Sequence, residues 1–185
     1  MSSTWNVAGQ RDPSLDAGRF VALRNGAAIR VRPIRPDDAL GLIALCGRLS
    51  PRTICQRFFT FRRLRREDVA ALCSVDGHEQ MAMVAERDIG PRTELVGVAR
   101  YSLAGEDLTP EVGLVVEDAW QGLGLGPVLL TKIMRGESGK GSQRFTRSVL
   151  AENDRMLRLI TRYADIIQRT VDHGIITVVF RRHEV

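Results

Sequence analysis

A chain of 185 residues, 44% apolar and 26% charged, has the composition of an ordinary globular domain and can bury a core without metal or disulfide staples. Its three cysteines (Cys46, Cys55, Cys73) and three histidines (His78, His173, His183) match no zinc spacing, so the thiols are expected reduced and structural and no metal is expected. A formal net charge of +5 favours acidic or phosphorylated partners, while aromatics at only 5%, not interleaved with the basic runs, argue against a nucleic-acid surface.

In chain order, the first residues lack the basic and apolar regions of a secretory signal, and no run of about 18 apolar residues follows, so a cytoplasmic location with no membrane contact is expected. Residues 1–19, polar with Gly9, Pro13 and Gly18, read as a flexible lead-in, and residues 20–185 as one domain. Residues 20–23 and 28–32 read as strands around Asn25-Gly26, a pair suited to the positive φ angles of a type I′ turn. Pro36-Asp37-Asp38 predicts a helix start with aspartate as cap, and Leu42, Leu45, Cys46 and Leu49 follow at helical spacing. Ser50-Pro51 opens a second short helix through Ile54 and Phe58, and a third surrounds Val69 to Cys73.

The pattern then turns to strands at residues 80–85 and 94–101, flanking Gly90-Pro91, and again at 111–116. A helix around Val128, Leu129 and Ile133, a strand over 145–150 and a helix over 153–163 come next. Residues 166–171 and 175–180 form a last hairpin around Asp172-His173-Gly174. The mixed order predicts an α/β (α+β) domain whose sheet leans antiparallel.

Trp120-Gln121-Gly122-Leu123-Gly124-Leu125-Gly126 lies between a predicted strand and a predicted helix. Glycines there allow positive φ and close backbone approach, and the helix start adds unpaired N–H groups, which together suit a pyrophosphate. A plain strand-to-helix turn would use the same residues. A dinucleotide-binding fingerprint does not fit, because the loop comes late in the chain and Arg144 stands where an acidic residue is required. Residues 136–142 imitate a nucleotide P-loop, but Met134 stands where its first glycine is required and Gly141 replaces the Ser/Thr after Lys140; they read as a helix-to-strand turn.

Gln121-x-x-Gly124-x-Gly126 resembles the coenzyme A pyrophosphate loop of the GNAT N-acetyltransferases. Further segments resemble one branch, the bacterial protein lysine acetyltransferases related to those that control acetyl-CoA synthetase. They are Val31-Arg32-Pro33-Ile34-Arg35-Pro36-Asp37-Asp38, Arg48-Leu49-Ser50-Pro51, Arg57-Phe58-Phe59, residues 95–101, residues 111–126, and Val149-Leu150-Ala151-Glu152-Asn153 with Met156-Leu157. The resemblance implies a GNAT fold, a mixed and mostly antiparallel twisted sheet flanked by helices with splayed central strands. It implies acetyl-CoA as co-substrate, no metal, and a protein lysine as acceptor.

Carried onto this chain, the resemblance gives the backbone of Leu114, Val115 and Val116 to the pantetheine arm, as an added strand. It places Gln121, Gly122, Leu123, Gly124, Leu125 and Gly126 around the pyrophosphate, and Asn153 against the coenzyme; an ordinary helix cap is the other reading of Asn153. Glu111 stands where the branch has a strand glutamate. In an extended strand it shares a face with Gly113 and Val115, so its carboxylate can deprotonate a lysine amine, whose reference pKa is about 10.4. A solvated strand end is the other reading of Glu111.

Some positions depart from the family. The tyrosine that many members carry on the last long helix falls at Ile160, with Tyr163 almost a turn later, so no general acid is assigned. Ala164-Asp165 replaces the usual Gly-Phe, and Pro127 removes a backbone donor. Arg62, Arg63, Arg65 and Arg66 suit either the acceptor side or a solvated face. Two further functions fit the same residues: transfer to a small-molecule amine, and a non-catalytic acyl-CoA-binding regulatory module.

Overall fold

The computed structural model describes residues 18–62, 65–77, 79–104, 109–137 and 144–183. The expectations for the lead-in up to residue 17, for Arg63 and His78, and for most of the P-loop-like stretch (138–142) lie outside the described residues.

Eight strands form the sheet: β1 (Arg19–Ala22), β2 (Ala28–Pro33), β3 (Gln80–Ile89), β4 (Arg92–Ala104), β5 (Thr109–Val116), β6 (Phe145–Leu150), β7 (Ala164–Asp172) and β8 (Ile175–Arg182). Among the described residues, five α-helices accompany them: α1 (Ala39–Arg48), α2 (Pro51–Phe58), α3 (Arg66–Ala71), α4 (Leu125–Glu137) and α5 (Asp154–Tyr163). The strand order is β1-β2-β3-β4-β5-β6-β8-β7. Neighbours are antiparallel except β5 and β6, which run parallel and share one registered pair, Glu111 with Thr146. β4 and β5, in contrast, stay in register from Gly97 opposite Val116 to Ala104 opposite Thr109. The sheet is therefore split along its middle, as the family resemblance implied.

Alternation along β5 feeds two cores. Val112 and Val116 join the core under α4 and α5, where Leu129, Leu130, Ile133 and Met134 are fully buried. Val115 joins the opposite core with Leu42, Leu45, Cys46 and Leu49, the helical set read from the sequence. Each fully buried aliphatic side chain is worth about 1.5–3 kcal/mol, so this alternation fixes which way β5 faces. All three cysteines are buried and free. Among the described residues, no helix is long and apolar enough to cross a membrane.

Two local expectations need correction. At Asn25-Gly26 only the glycine has positive φ, +82°. Gly26 N–H donates to the Leu23 carbonyl at 2.9 Å and Leu23 N–H to the Ala27 carbonyl at 2.9 Å. The loop is a type I turn closed by a left-handed glycine, not type I′. Type I′ angles occur instead in the last hairpin, at His173 (+45°) and Gly174 (+79°). The second concerns the Pro36–Asp38 start. Asp38 is the N-cap residue of α1, as expected, but Pro36–Asp38 form a 3-10 turn ahead of the helix. The Asp38 carboxylate makes no cap hydrogen bond to α1, reaching back instead to Arg35 N–H at 2.7 Å.

Asp38 has a larger task. Arg32, 5% exposed, donates to Asp38 at 2.6 and 2.7 Å and to Glu86 at 2.7 Å. This buried network locks the entry of α1 to β2 and β3. Ser50 caps α2 as expected, accepting from Thr53 N–H at 3.2 Å.

Candidate active site

Where β5 and β6 part, a cleft of about 380 Å³ opens. Leu114, Val115 and Val116 form one wall, and Gln121, Gly122 and Gly124 the mouth. Gly122 and Gly124 hold φ of +78° and +101°. A Cβ added to either would meet nothing within 4 Å, so glycine is needed there for the backbone angle and leaves its outer side open. The N–H groups of Leu125, Gly126 and Val128 follow at the start of α4, where a helix has no internal acceptors to offer; Pro127 contributes none.

The remaining loop positions divide. Leu125 is 1% exposed and Leu123 packs against the same core, so neither side chain lines the cleft and only their backbone can serve a ligand. Gly126 lies within α4, where an added Cβ would touch Leu159 Cδ2 at 3.5 Å. Gln121 was expected to act through its backbone, yet its side chain spans the mouth. Nε2 donates to the Val116 carbonyl at 2.9 Å and to Thr53 Oγ1 at 3.3 Å, while Oε1 accepts from Arg155.

The loop is held from both sides. Asp118 accepts from Ser50 Oγ at 2.7 Å, Ser50 N–H at 3.0 Å and Thr53 Oγ1 at 2.8 Å. Burial pushes the Asp118 carboxyl up, but these donations outweigh it and hold it below the usual carboxylate range. Arg48 donates to the Leu95 carbonyl at 2.6 Å and to Glu117 at 3.1 and 3.2 Å, tying the end of α1 to the same segment. Such clamping keeps the loop preorganised for a ligand.

Asn153 lines the cleft, and its side chain caps α5 by accepting from Met156 N–H at 3.2 Å. The cap fixes where α5 begins and so where its arginines fall. Arg155, Arg158 and Arg162 sit at i, i+3 and i+7, one face of the helix, and all three line the cleft beside Arg24 from the β1–β2 loop. The sequence analysis missed this cationic rim, although its spacing was there to find. Tyr163 also lines the cleft, whereas Ile160 is buried in the core.

Glu111 lies at the closed end, where the strands meet, and not among the residues lining the cleft. Its side chain is 44% exposed, and Arg147 Nη1 stands 3.8 Å from its Oε1. Arg57, from α2, crosses β5 at Gly113; a Cβ there would overlap the guanidinium, so the glycine makes room for it. Burial, then repulsion from Arg147 and Arg100, pushes the Arg57 guanidinium down to about 9, with Glu111 acting against the shift. It stays protonated at neutral pH. Burial also lowers Arg147 and Arg100. Arg62, Arg65 and Arg66 are exposed and do not line the cleft; Arg65 pairs with Asp68 at 2.8 Å.

Comparison with known proteins supplies the lineage. No family model matches the chain. Over 158 residues it is 28% identical to Acetyltransferase Pat of Mycolicibacterium smegmatis, covering 84% of this chain and 46% of that protein, so it spans about half of that relative's length. The crystal structure of the GNAT domain of S. lividans PAT aligns at a TM-score of 0.78 and 30% identity, covering 89% of this chain and 96% of that domain. The structure of yncA from Salmonella typhimurium with its cofactor acetyl-CoA shares the fold at a TM-score of 0.64 and 15% identity over 85% of this chain and 95% of that one. The split sheet, the glycine mouth and these relatives agree, and the chain belongs to the GNAT acetyltransferases, where it resembles the Pat branch.

Proposed function

We propose that this protein transfers an acetyl group from acetyl-CoA to a lysine side chain of another protein, directly and with Glu111 as general base. The parting of β5 from β6 beyond the Glu111–Thr146 pair carries the reading, because it exposes a strand edge that leads to the glycine mouth. The residues fit the donor. The edge at Leu114–Val116 pairs with the amide-bearing pantetheine arm as an added strand. Backbone N–H groups from Gly122 to Gly126 receive the pyrophosphate, and Arg24, Arg155, Arg158 and Arg162 supply charge-assisted hydrogen bonds.

When bound, the thioester supplies an activated acyl carbon. Glu111 removes the proton that keeps a lysine amine from attacking, a role worth about 10²–10⁴ in rate, and backbone N–H groups of β5 steady the oxyanion. Its partly exposed carboxylate suits an acceptor arriving on a protein surface. Incubation of the protein with labelled acetyl-CoA and, separately, a cell lysate and an amine panel tests the reading. Enzyme-dependent acetyl-lysine in the lysate is expected. Efficient labelling of one metabolite with no lysate protein labelled would replace the protein acceptor with a small-molecule amine.

A further inference from the structure

The closed end of the groove carries more positive charge than proton transfer requires. Arg100, Glu111 and Arg147 stand on the adjacent strands β4, β5 and β6, and Arg57 is laid across them at Gly113. Arg100 donates to Gln80 Oε1 at 2.9 Å, which leaves the Arg57 and Arg147 guanidinium groups beside one carboxylate, that of Glu111. That carboxylate is 3.8 Å from the nearest Arg147 nitrogen, beyond good hydrogen-bond range. The Arg147 side chain is 3% exposed, and its buried Nε has no hydrogen-bond partner. Arg57 and Arg147 both line the cleft. A buried donor without an acceptor is costly, and a carboxylate is the group that guanidinium geometry matches best.

Direction decides which reactant brings it. With the pyrophosphate at the Gly122–Gly124 mouth, a linear thioester runs back along β5 toward the Glu111–Thr146 closure. Arg57 crosses β5 at Gly113, one residue and so about 3.3 Å along the strand from Leu114. A four-carbon diacid chain spans about 4 Å from its thioester carbonyl to its distal carboxylate, enough to reach the arginines. An acetyl group is too short to do so.

We infer that this closed end seats a carboxylate carried by the acyl group, so the preferred donor is the coenzyme A thioester of a short dicarboxylic acid, such as a succinyl thioester. The inference rests on the acyl-CoA reading above and deepens it. In the transfer, the amine nitrogen bonds to the thioester carbonyl carbon and the C–S bond breaks with its electron pair on sulfur. The amine proton passes to Glu111 and on to solvent, and the thiolate takes up a proton. Arg57 and Arg147 hold the distal carboxylate throughout.

Calorimetry with coenzyme A, acetyl-CoA and succinyl-CoA on the intact protein tests this, together with Arg57→Gln and Arg147→Gln variants. Succinyl-CoA should bind at least about 10-fold more tightly than acetyl-CoA, the scale of a charge-assisted pair. Each variant should shrink that ratio to under about 3-fold while coenzyme A affinity stays within about 2-fold. Should Arg147→Gln fail to fold, Arg57→Gln, on the partly exposed α2, carries the test. Equal binding of the two thioesters by the wild-type protein would overturn the inference and leave the acyl-CoA reading standing. Absence of binding by all three ligands would refute that reading and this inference with it. A preference for acidic lysine peptides when acetyl-CoA is the donor, without any preference between donors, would assign the carboxylate to the acceptor and also overturn it.

Discussion

Arg147 Nη1 lies 3.8 Å from Glu111 Oε1 at the last point where β5 and β6 touch. The proposed base thus stands at the closed end of the groove, in a field of positive charge. Replacing Glu111 with glutamine keeps its shape and removes its basicity. Expected kcat falls by about 10²-fold or more while coenzyme affinity persists, and the deficit shrinks at high pH, where more of the acceptor amine is already neutral. A pH–rate profile of the two proteins checks this; near wild-type turnover at neutral pH removes Glu111 from the mechanism.

The mouth gives a second prediction. Gly124 holds φ +101°, where any side chain is strained, and its outer side is open. Gly124→Ala introduces strain of about 1–2 kcal/mol, and Gly124→Asp adds a negative charge where phosphate oxygens would approach. Calorimetry on folded variants should show weakened coenzyme binding for alanine and none for aspartate. Unchanged affinity in Gly124→Asp sinks the loop assignment.

The arginine face of α5 should act through charge. Arg158→Ala and Arg162→Ala should each weaken coenzyme A several-fold, and the loss should diminish as salt rises from 0.05 to about 0.5 M, because exposed charges are screened within about 10 Å at 0.1 M. Binding measured at several salt concentrations checks this. A loss independent of salt would place these arginines in a packing role.

Stability carries its own pH signature. Burial pushes the Asp38 carboxyl up, but hydrogen bonds from Arg32 and from Arg35 N–H outweigh it, so the folded-state pKa lies below the unfolded value. Its stabilisation is then full above the unfolded pKa of about 3.9 and fades as pH falls through the folded pKa. Asp38→Asn should cost about 1–3 kcal/mol at neutral pH, with the gap from wild type narrowing below about pH 4. Arg32→Met, which leaves Asp38 and Glu86 without their shared partner, should cost about 3–5 kcal/mol. Denaturant titrations across pH check both.

What could be read from the sequence follows from how local each signal is. The periodicity of Leu42, Leu45, Cys46 and Leu49 and the glycines at 122 and 124 are properties of short segments, and the structure realises them. The turn at Asn25-Gly26 was misassigned because turn type depends on loop length, which cross-strand register sets. Arg57 and Arg147 lie ninety positions apart and meet only because α2 crosses the strands where the sheet splits. No pattern in either segment announces that meeting. Glu111 is proposed by resemblance alone, while its arginine neighbours emerge only from the fold.

The groove between β5 and β6 is the claim on which the rest depends, and amide hydrogen exchange with and without saturating coenzyme A tests it most directly. Protection should concentrate at Leu114, Val115 and Val116 and across Gly122 to Gly126, while the β3–β4 turn at Gly90 exchanges as before. Protection confined to another surface, or no change anywhere at saturation, would contradict the account.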